Sequence, residues 1–341
     1  MNEMRACFFT TSNFDQVRKE QYTYADYCIL KDIGFDVRFV CEPYKIPLDC
    51  DLYYSWWASG SVFPMMIAKL ANKPNIVVAG GNEAIPYRDS MSNNPHGYLA
   101  SGCLKRGLTR ATLRHSTAVI AVSNYMVAGL KSLGCDAPHV IHNCVDTLLF
   151  RPDQYAKKEF ITTSFRMDHL PTLIKRGENF IKAAAILIKE YTGLKFLIIG
   201  HKGDAYPNLR KLCKHLGISD AVIFVGAISN SEVVGYLQKS ICFVQPSDTE
   251  TFGVAVAEAM SVGCPVVVSR RGALFEVASE NGIYVDQNSP ESIANGVKNV
   301  FNLNSDDLFN LSNKLIIHIK ENFSYEKRRV AIQDLVGSIL T

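Results

Sequence analysis

Two glutamates, Glu250 and Glu258, bracket the start of a short helical stretch in the second half of this chain. Thr251, Phe252, Gly253 and Val254 stand between Glu250 and the body of that stretch. A glycine at a helix start has no Cβ, so backbone amides there can approach an anion closely. Those amides have no partners inside the helix, and the helix dipole favours negative charge at that end. A diphosphate is the guest such a terminus suits. Glu258 lies about two turns into the helix, roughly 8–9 Å along the axis at ~1.5 Å per residue. One carboxylate can therefore address a group beyond the phosphates and the other a group on the nucleoside side, and carboxylates accept well from sugar hydroxyls. Taken alone, two glutamates eight apart on an amphipathic helix would be read as a solvated face.

The surrounding elements are what position the pair. An apolar run at 241–244 is short enough for a buried strand. Gln245, Pro246, Ser247, Asp248 and Thr249 bring turn chemistry. A helix is expected over 254–262, stopped by Gly263 with Pro265 beyond, and a β-branched strand over 266–269. The unit is strand, loop, helix, strand. With QPS at 245–247, TFG at 251–253, AEAM at 257–260 and G-x-PVV from 263 in one register, it resembles the donor-site signature of retaining glycosyltransferases of family 4, which have the GT-B fold.

That resemblance implies an α/β chain of two Rossmann-like domains with parallel sheets facing across a cleft. The stretch Asn143 to Pro152 resembles the N-x-VD-x-x-x-F-x-P junction of family members. The implied boundaries are 1–150 for an acceptor-side domain, completed by a returning terminal helix at 325–341, and 151–324 for a donor-binding domain. Arg166 matches the arginine of the family's G-R-x-x-x-x-K-G pattern, and Lys175 or Arg176 the lysine, both on the donor diphosphate. By the same analogy Glu250 holds donor sugar hydroxyls, and the amides of Thr251, Phe252, Gly253 and Val254 cradle phosphate. Glu258 binds ribose, and Gly226 ends the strand beside the base. Ser247 either touches phosphate or caps the helix. The implied donor is a UDP- or GDP-linked sugar with no further cofactor. The implied reaction retains the anomeric configuration by front-face attack, the leaving phosphate helping to take the acceptor's proton, with closure of the two domains over the donor.

The first half departs from the family pattern. Many members have a histidine after the fourth strand, where this chain has Gly80, followed by Gly81, Asn82 and Glu83. Asn82, Glu83 and Asn13 are the acceptor-side candidates; Thr11, Ser12 and Asn13 replace the usual glycine pair after the first strand. Trp56 and Trp57 can stack on a sugar, with one of them expected in the core. Asp49-Cys50-Asp51 mimics the D-x-D metal motif of the other large glycosyltransferase fold, but stands where family members often have a lone aspartate. No metal is expected. The missing histidine keeps two other readings open: a non-catalytic sugar-nucleotide-binding protein, and an epimerase or phosphorylase on the same fold.

Length and composition set the frame. The 341 residues suffice for two domains, and 48% apolar with 20% charged is ordinary globular usage. A net charge of +3 is too small to argue for nucleic acid. No apolar run reaches the length of a membrane span, and the first residues read as a strand and not as a signal peptide. The ten cysteines show no zinc-ligand spacing, which reads as a reducing cytosol. The face of Lys105, Arg106, Arg110 and Arg114 suits either anionic lipid at the membrane or plain solvation. Partners are then the nucleotide sugar and a glycan, lipid-linked or small-molecule acceptor; oligomeric state is not readable.

Strands are expected at 5–11, 35–41, 51–57, 75–79, 117–122 and 139–142 in the first half, and at 160–164, 195–200 and 221–225 before the organising unit, with 282–285 after it. A helix is expected from the loop at 12–14 to about 33, and residues 86–102 read as a long loop. Ser229 and Glu232 form a capping box. Strands alternating with helices mean parallel sheets with helices on both faces.

Overall fold

A computed structural model describes residues 4–81, 84–153 and 155–340. Its contacts divide the chain into two compact units, Met1–Cys144 with Phe323–Thr341, and Val145–Asn322. Asn82 and Glu83, two of the acceptor-side candidates, lie outside the described residues.

The first unit is built on β1 (Met4–Phe9), β2 (Phe35–Val40), β3 (Leu52–Trp56), β4 (Asn75–Ala79), β7 (Ala118–Ala121) and β8 (His139–Val140), with a small pair β5 (Pro86–Arg88) and β6 (Pro95–Gly97) outside the main sheet. The main sheet runs β2-β1-β3-β4-β7-β8 and is parallel throughout. The central strands β3, β4 and β7 are buried along their whole length. They are mostly apolar because a parallel sheet covered by helices on both faces leaves no strand face for water.

The second unit repeats the plan with β9 (Phe160–Ser164), β10 (Lys195–Ile199), β11 (Val222–Gly226), β12 (Ser240–Gln245), β13 (Val266–Ser269) and β14 (Ile283–Val285). The order is β11-β10-β9-β12-β13-β14, again all parallel. In each unit the strand order reverses once, between β1 and β3 in the first and between β9 and β12 in the second. Ligands of open parallel sheets bind at such reversal points, outside the carboxyl ends of the strands.

The terminal helix Tyr325–Leu340 packs within the first unit through a buried ion pair. Arg328 donates through Nε and Nη2 to the Asp26 carboxylate at 2.6 and 2.8 Å, and through Nη1 to the carbonyls of Ile141 and His142 at 2.9 and 2.6 Å. Asp26 also accepts from the Tyr54 hydroxyl at 2.7 Å and the Trp56 indole at 2.9 Å. Burial works against the Arg328 charge, and the adjacent Asp26 carboxylate more than offsets it, holding that pKa above its usual value.

The structure corrects three local expectations. The helix expected from the 12–14 loop to residue 33 is two helices, Phe14–Lys19 and Gln21–Asp32, because Glu20 adopts an extended backbone between them (φ −94°, ψ 90°). Residues 86–102 contain the antiparallel β5–β6 pair, with Asp89 closing its turn by accepting from the Met91 and Ser92 amides. Helices at His169–Ile174 and Leu274–Ala278 were not anticipated. Both are single-turn segments too short for a periodic pattern to show. Among the described residues no helix is long and apolar enough to cross a membrane.

Candidate functional site

The reversal point of the second sheet gathers most of the residues singled out above. Its β9 side contributes the segment from Phe165 to Arg176, and its β12 side the segment from Pro246 to Gly253. Glycines allow these loops to meet. A Cβ on Gly200, which follows β10 at φ +144°, would stand 2.0 Å from the Phe165 carbonyl oxygen. One on Gly272, after β13, would stand 2.4 Å from the Glu250 backbone nitrogen and oxygen. The loops are stitched by backbone hydrogen bonds: Asp248 N–H to the Ile174 carbonyl at 2.7 Å, Ala273 N–H to the Glu250 carbonyl at 2.9 Å, and Met167 N–H to the His201 carbonyl at 2.8 Å.

Within this frame Glu250 and Lys175 form a direct ion pair, the Lys175 ammonium on Glu250 Oε1. Their side chains remain 13% and 24% exposed, so the pair faces solvent while resting on the protein. Ser247 Oγ donates to the same Oε1 at 3.0 Å and accepts from Gln245 Nε2 at 2.9 Å. Ser247 and Gln245 are both buried. The carboxylate is thus aimed by a hydroxyl that is itself fixed, and Ser247 serves to orient Glu250. It does not cap the following helix, whose N-cap, Gly253, is reinforced by no side chain.

The sequence leaves Lys175 and Arg176 as alternatives for one cation, and the structure separates them. Arg176 adopts a left-handed backbone (φ 53°), and its side chain is turned inward, 3% exposed. It donates to Asn288 Oδ1 at 3.1 Å and the Leu173 carbonyl at 3.0 Å, and pairs with Asp248 at 3.3 Å. Asp248 is fully buried and also accepts from Gln287 Nε2 at 3.3 Å. This network braces the loop from beneath. Arg176 therefore holds the shape of the site, and Lys175 is the cation it presents. In the sequence Asp248 reads only as a turn residue and nothing points to Gln287 or Asn288, because the partners in this network are 39 or more residues apart along the chain.

Arg166 follows β9 and is exposed, its Nε donating to Asp168 at 2.9 Å. Its guanidinium retains donors on the solvent side. Gly226 ends β11 with φ +97°, its carbonyl accepting from Gly200 N–H at 3.0 Å. These residues share one edge of the sheet, the carboxyl edge, with Glu250.

The helix Val254–Ser261 begins at Gly253 in a left-handed conformation (φ 103°), where a Cβ would also stand 2.9 Å from Leu274 Cδ2. Phe252 is buried beneath the turn, and Thr251 is half-buried. The N–H groups of Gly253, Val254 and Ala255 donate to nothing among the described residues. They form the set of orphan donors expected at a helix start.

Glu258 is half-buried on this helix, and its carboxylate makes no hydrogen bond or ion pair among the described residues. Desolvation raises its pKa to about 8. The folded chain therefore holds a proton there that the unfolded chain releases near 4.5, so stability falls as pH rises from about 4.5 to about 8. Glu258→Gln removes that dependence. Its melting temperature should equal the parent's near pH 5 and exceed it near pH 8.5, by an increment of about 1–3 kcal/mol, less than the full shift because the carboxyl keeps some solvent contact. Thermal unfolding across that range checks this, and a difference that does not vary with pH would contradict it.

In the first unit, Asn13 caps the Phe14–Lys19 helix, its Oδ1 accepting from Gln16 N–H at 2.9 Å. Asp49 pairs with Arg5 and Arg38, and Asp51 with Lys73. The two carboxylates of the D-x-D are thus bound to cations. Of the two tryptophans, Trp56 is fully buried and Trp57 is half-buried.

Residues 157–321 match the family described as "Glycosyl transferases group 1". An uncharacterized glycosyltransferase of Methanocaldococcus jannaschii is 36% identical over 128 residues, which is 37% of this chain and 33% of that protein. The lipopolysaccharide core biosynthesis mannosyltransferase LpcC of Rhizobium leguminosarum is 26% identical over 247 residues, 68% of this chain and 67% of that one. Among solved structures, HepE of Anabaena in complex with UDP and glucose superposes with a TM-score of 0.76 at 15% identity, covering 98% of this chain and 100% of that one. The fold is GT-B, an α/β architecture with a parallel sheet in each unit.

Proposed function

We propose that this chain is a retaining glycosyltransferase of family 4 that takes its sugar from a UDP- or GDP-linked donor. The observation that carries the reading is the Lys175–Glu250 pair, aimed by Ser247 and set beside the orphan amides of Gly253, Val254 and Ala255. The match of residues 157–321 to a glycosyl transferase family supports it, because that segment contains every one of these groups.

A sugar nucleotide is already activated, so the work of the protein is to stabilise charge gathering on the leaving diphosphate. The helix-start amides and the cations do this. Lys175 has three N–H donors. One holds Glu250, leaving others for a phosphate oxygen, so the pair can bridge diphosphate and sugar. Arg166 supplies a second cation from the same edge of the sheet. Glu250, paired with Lys175, accepts from donor sugar hydroxyls and fixes the anomeric carbon relative to the phosphate. Glu258 accepts from ribose hydroxyls, and Gly226 ends its strand beside the base. With the cations supplied by the chain, the step needs no metal. The acceptor is a glycan, a lipid-linked sugar or a small molecule. The exposed face of Lys105, Arg110 and Arg114 beside exposed Leu104 is the part that would meet anionic lipid at the cytoplasmic face of a membrane.

A thermal-shift screen against UDP- and GDP-linked sugars tests this reading. One donor should raise the melting temperature, by about 2–3 kcal/mol of added stability at a hundredfold excess over Kd, and should be consumed slowly to nucleoside diphosphate and free sugar of unchanged configuration. A donor that binds without any transfer or hydrolysis would favour the non-catalytic alternative, and phosphate-dependent sugar release would favour a phosphorylase.

A further inference from the structure

We propose that the reversal point of the first sheet binds the acceptor by stacking a pyranose ring on the indole of Trp57; the proposal rests on the glycosyltransferase reading above. Parallel pairing of Phe9 with Ser55 places Thr11 and Trp57 at the same height, two residues beyond the paired ends of β1 and β3. In the second sheet, Glu250 and Lys175 likewise lie on the segments that follow the two strands flanking the reversal point. Ligands of open parallel sheets gather there.

Trp57 departs from its surroundings in its backbone. Its φ is +72°, a left-handed conformation that a bulky side chain rarely adopts. Four hydrogen bonds hold it: Trp57 N–H donates to the Val78 carbonyl at 3.1 Å, and the Trp57 carbonyl accepts from Gly60 N–H, Ser61 N–H and Ser61 Oγ at 3.0, 3.1 and 2.9 Å. Such over-determined outliers concentrate at ligand sites. The neighbouring Trp56 spends its indole N–H on buried Asp26. That of Trp57 has no partner among the described residues, and the ring stays half-buried.

The same geometry accounts for Gly80, which stands where many family members have histidine. A Cβ at residue 80 would meet Trp56 Cζ3 at 2.6 Å and Trp57 Cζ3 at 3.3 Å. The two indoles occupy the volume a side chain there would need. On the neighbouring strand end, Thr11 packs on Gly60, where a Cβ would stand 2.8 Å from Thr11 Cγ2. A pyranose carries an apolar C–H face and a rim of hydroxyls. An aromatic ring with a spare N–H complements both surfaces.

The chain has two tryptophans, one fully buried, so indole fluorescence reports on this crevice directly. Acrylamide quenching of the full chain, with and without UDP, is titrated with the methyl α-glycosides of glucose, mannose and N-acetylglucosamine. At least one should shield Trp57 from the quencher. Trp57→Gly suits the left-handed backbone but removes a ring packed on Tyr22 and Trp56, so that variant should fold with a lowered melting temperature, while its glycoside affinity, read by titration calorimetry because the reporter indole is gone, falls tenfold or more. Trp57→Tyr should keep most of that affinity, and both variants should bind UDP within twofold of the parent. The proposal is overturned if no glycoside alters quenching, or if Trp57→Gly binds glycosides as tightly as the parent. Failure of the parent to bind any sugar nucleotide would instead overturn the glycosyltransferase reading.

Discussion

Glu250→Gln is expected to lower sugar transfer by about 100- to 1000-fold, the scale seen when one preorganised electrostatic group is removed from a reacting centre. The substitution keeps size and shape and deletes one charge. Glu250 receives Lys175 and Ser247 on the same oxygen, so its direction is fixed before any substrate arrives, and a neutral amide presents at most one acceptor atom to the same donors. Lys175→Met removes the opposite member. If Lys175 faces the diphosphate as proposed, its loss should raise the donor KM as well as lower kcat, whereas Glu250→Gln should act mainly on kcat. Neither change should unfold the chain, since both side chains keep contact with solvent. Turnover within tenfold of the parent in either variant, with the fold intact, would remove these two residues from the reaction.

The largest effect on stability is expected at Arg328. Replacing it with methionine leaves the Asp26 carboxylate fully buried with only Tyr54 and Trp56 as donors, and strips the Ile141 and His142 carbonyls of theirs. Breaking a buried pair from one side costs about 3–5 kcal/mol. For a unit of this size that is a fall of about 10 °C in melting temperature. The double variant Asp26→Leu with Arg328→Met should recover part of the loss, because removing both charges leaves none uncompensated. Additive losses in the double variant would show that the two side chains act independently. The terminal helix is tied to the first unit by this pair and by the Tyr325 hydroxyl on Asp32 at 2.7 Å.

The fold was legible because its signals are local. Unbroken apolar runs such as those of β4 and β12 announce covered parallel strands, and Gly263 with Pro265 marks where the intervening helix stops. The single-turn helices and the break at Glu20 were not legible, since fewer than two turns carry no usable period. In the site, Glu250, Gly253 and Glu258 could be singled out because they lie within nine residues of one another. What lies around them could not. Lys175 and Arg176 are adjacent in sequence, and only the buried Asp248–Gln287–Asn288 network shows which of them turns inward. The Asp26–Arg328 pair is invisible for the same reason, its members lying 302 residues apart. Gly80 is the instructive case. The sequence shows only a glycine there, while the two indoles that fill the space beside it exist only in three dimensions.

Amide hydrogen exchange with and without a saturating sugar nucleotide, the donor giving the largest thermal shift, bears most directly on the central claim that the second unit grips a diphosphate at the start of the Val254–Ser261 helix. Protection should concentrate on peptides covering 165–177 and 247–258, and should be lost in Lys175→Met at the same donor concentration. Unchanged exchange in those two segments, with protection appearing elsewhere in the chain, would contradict it.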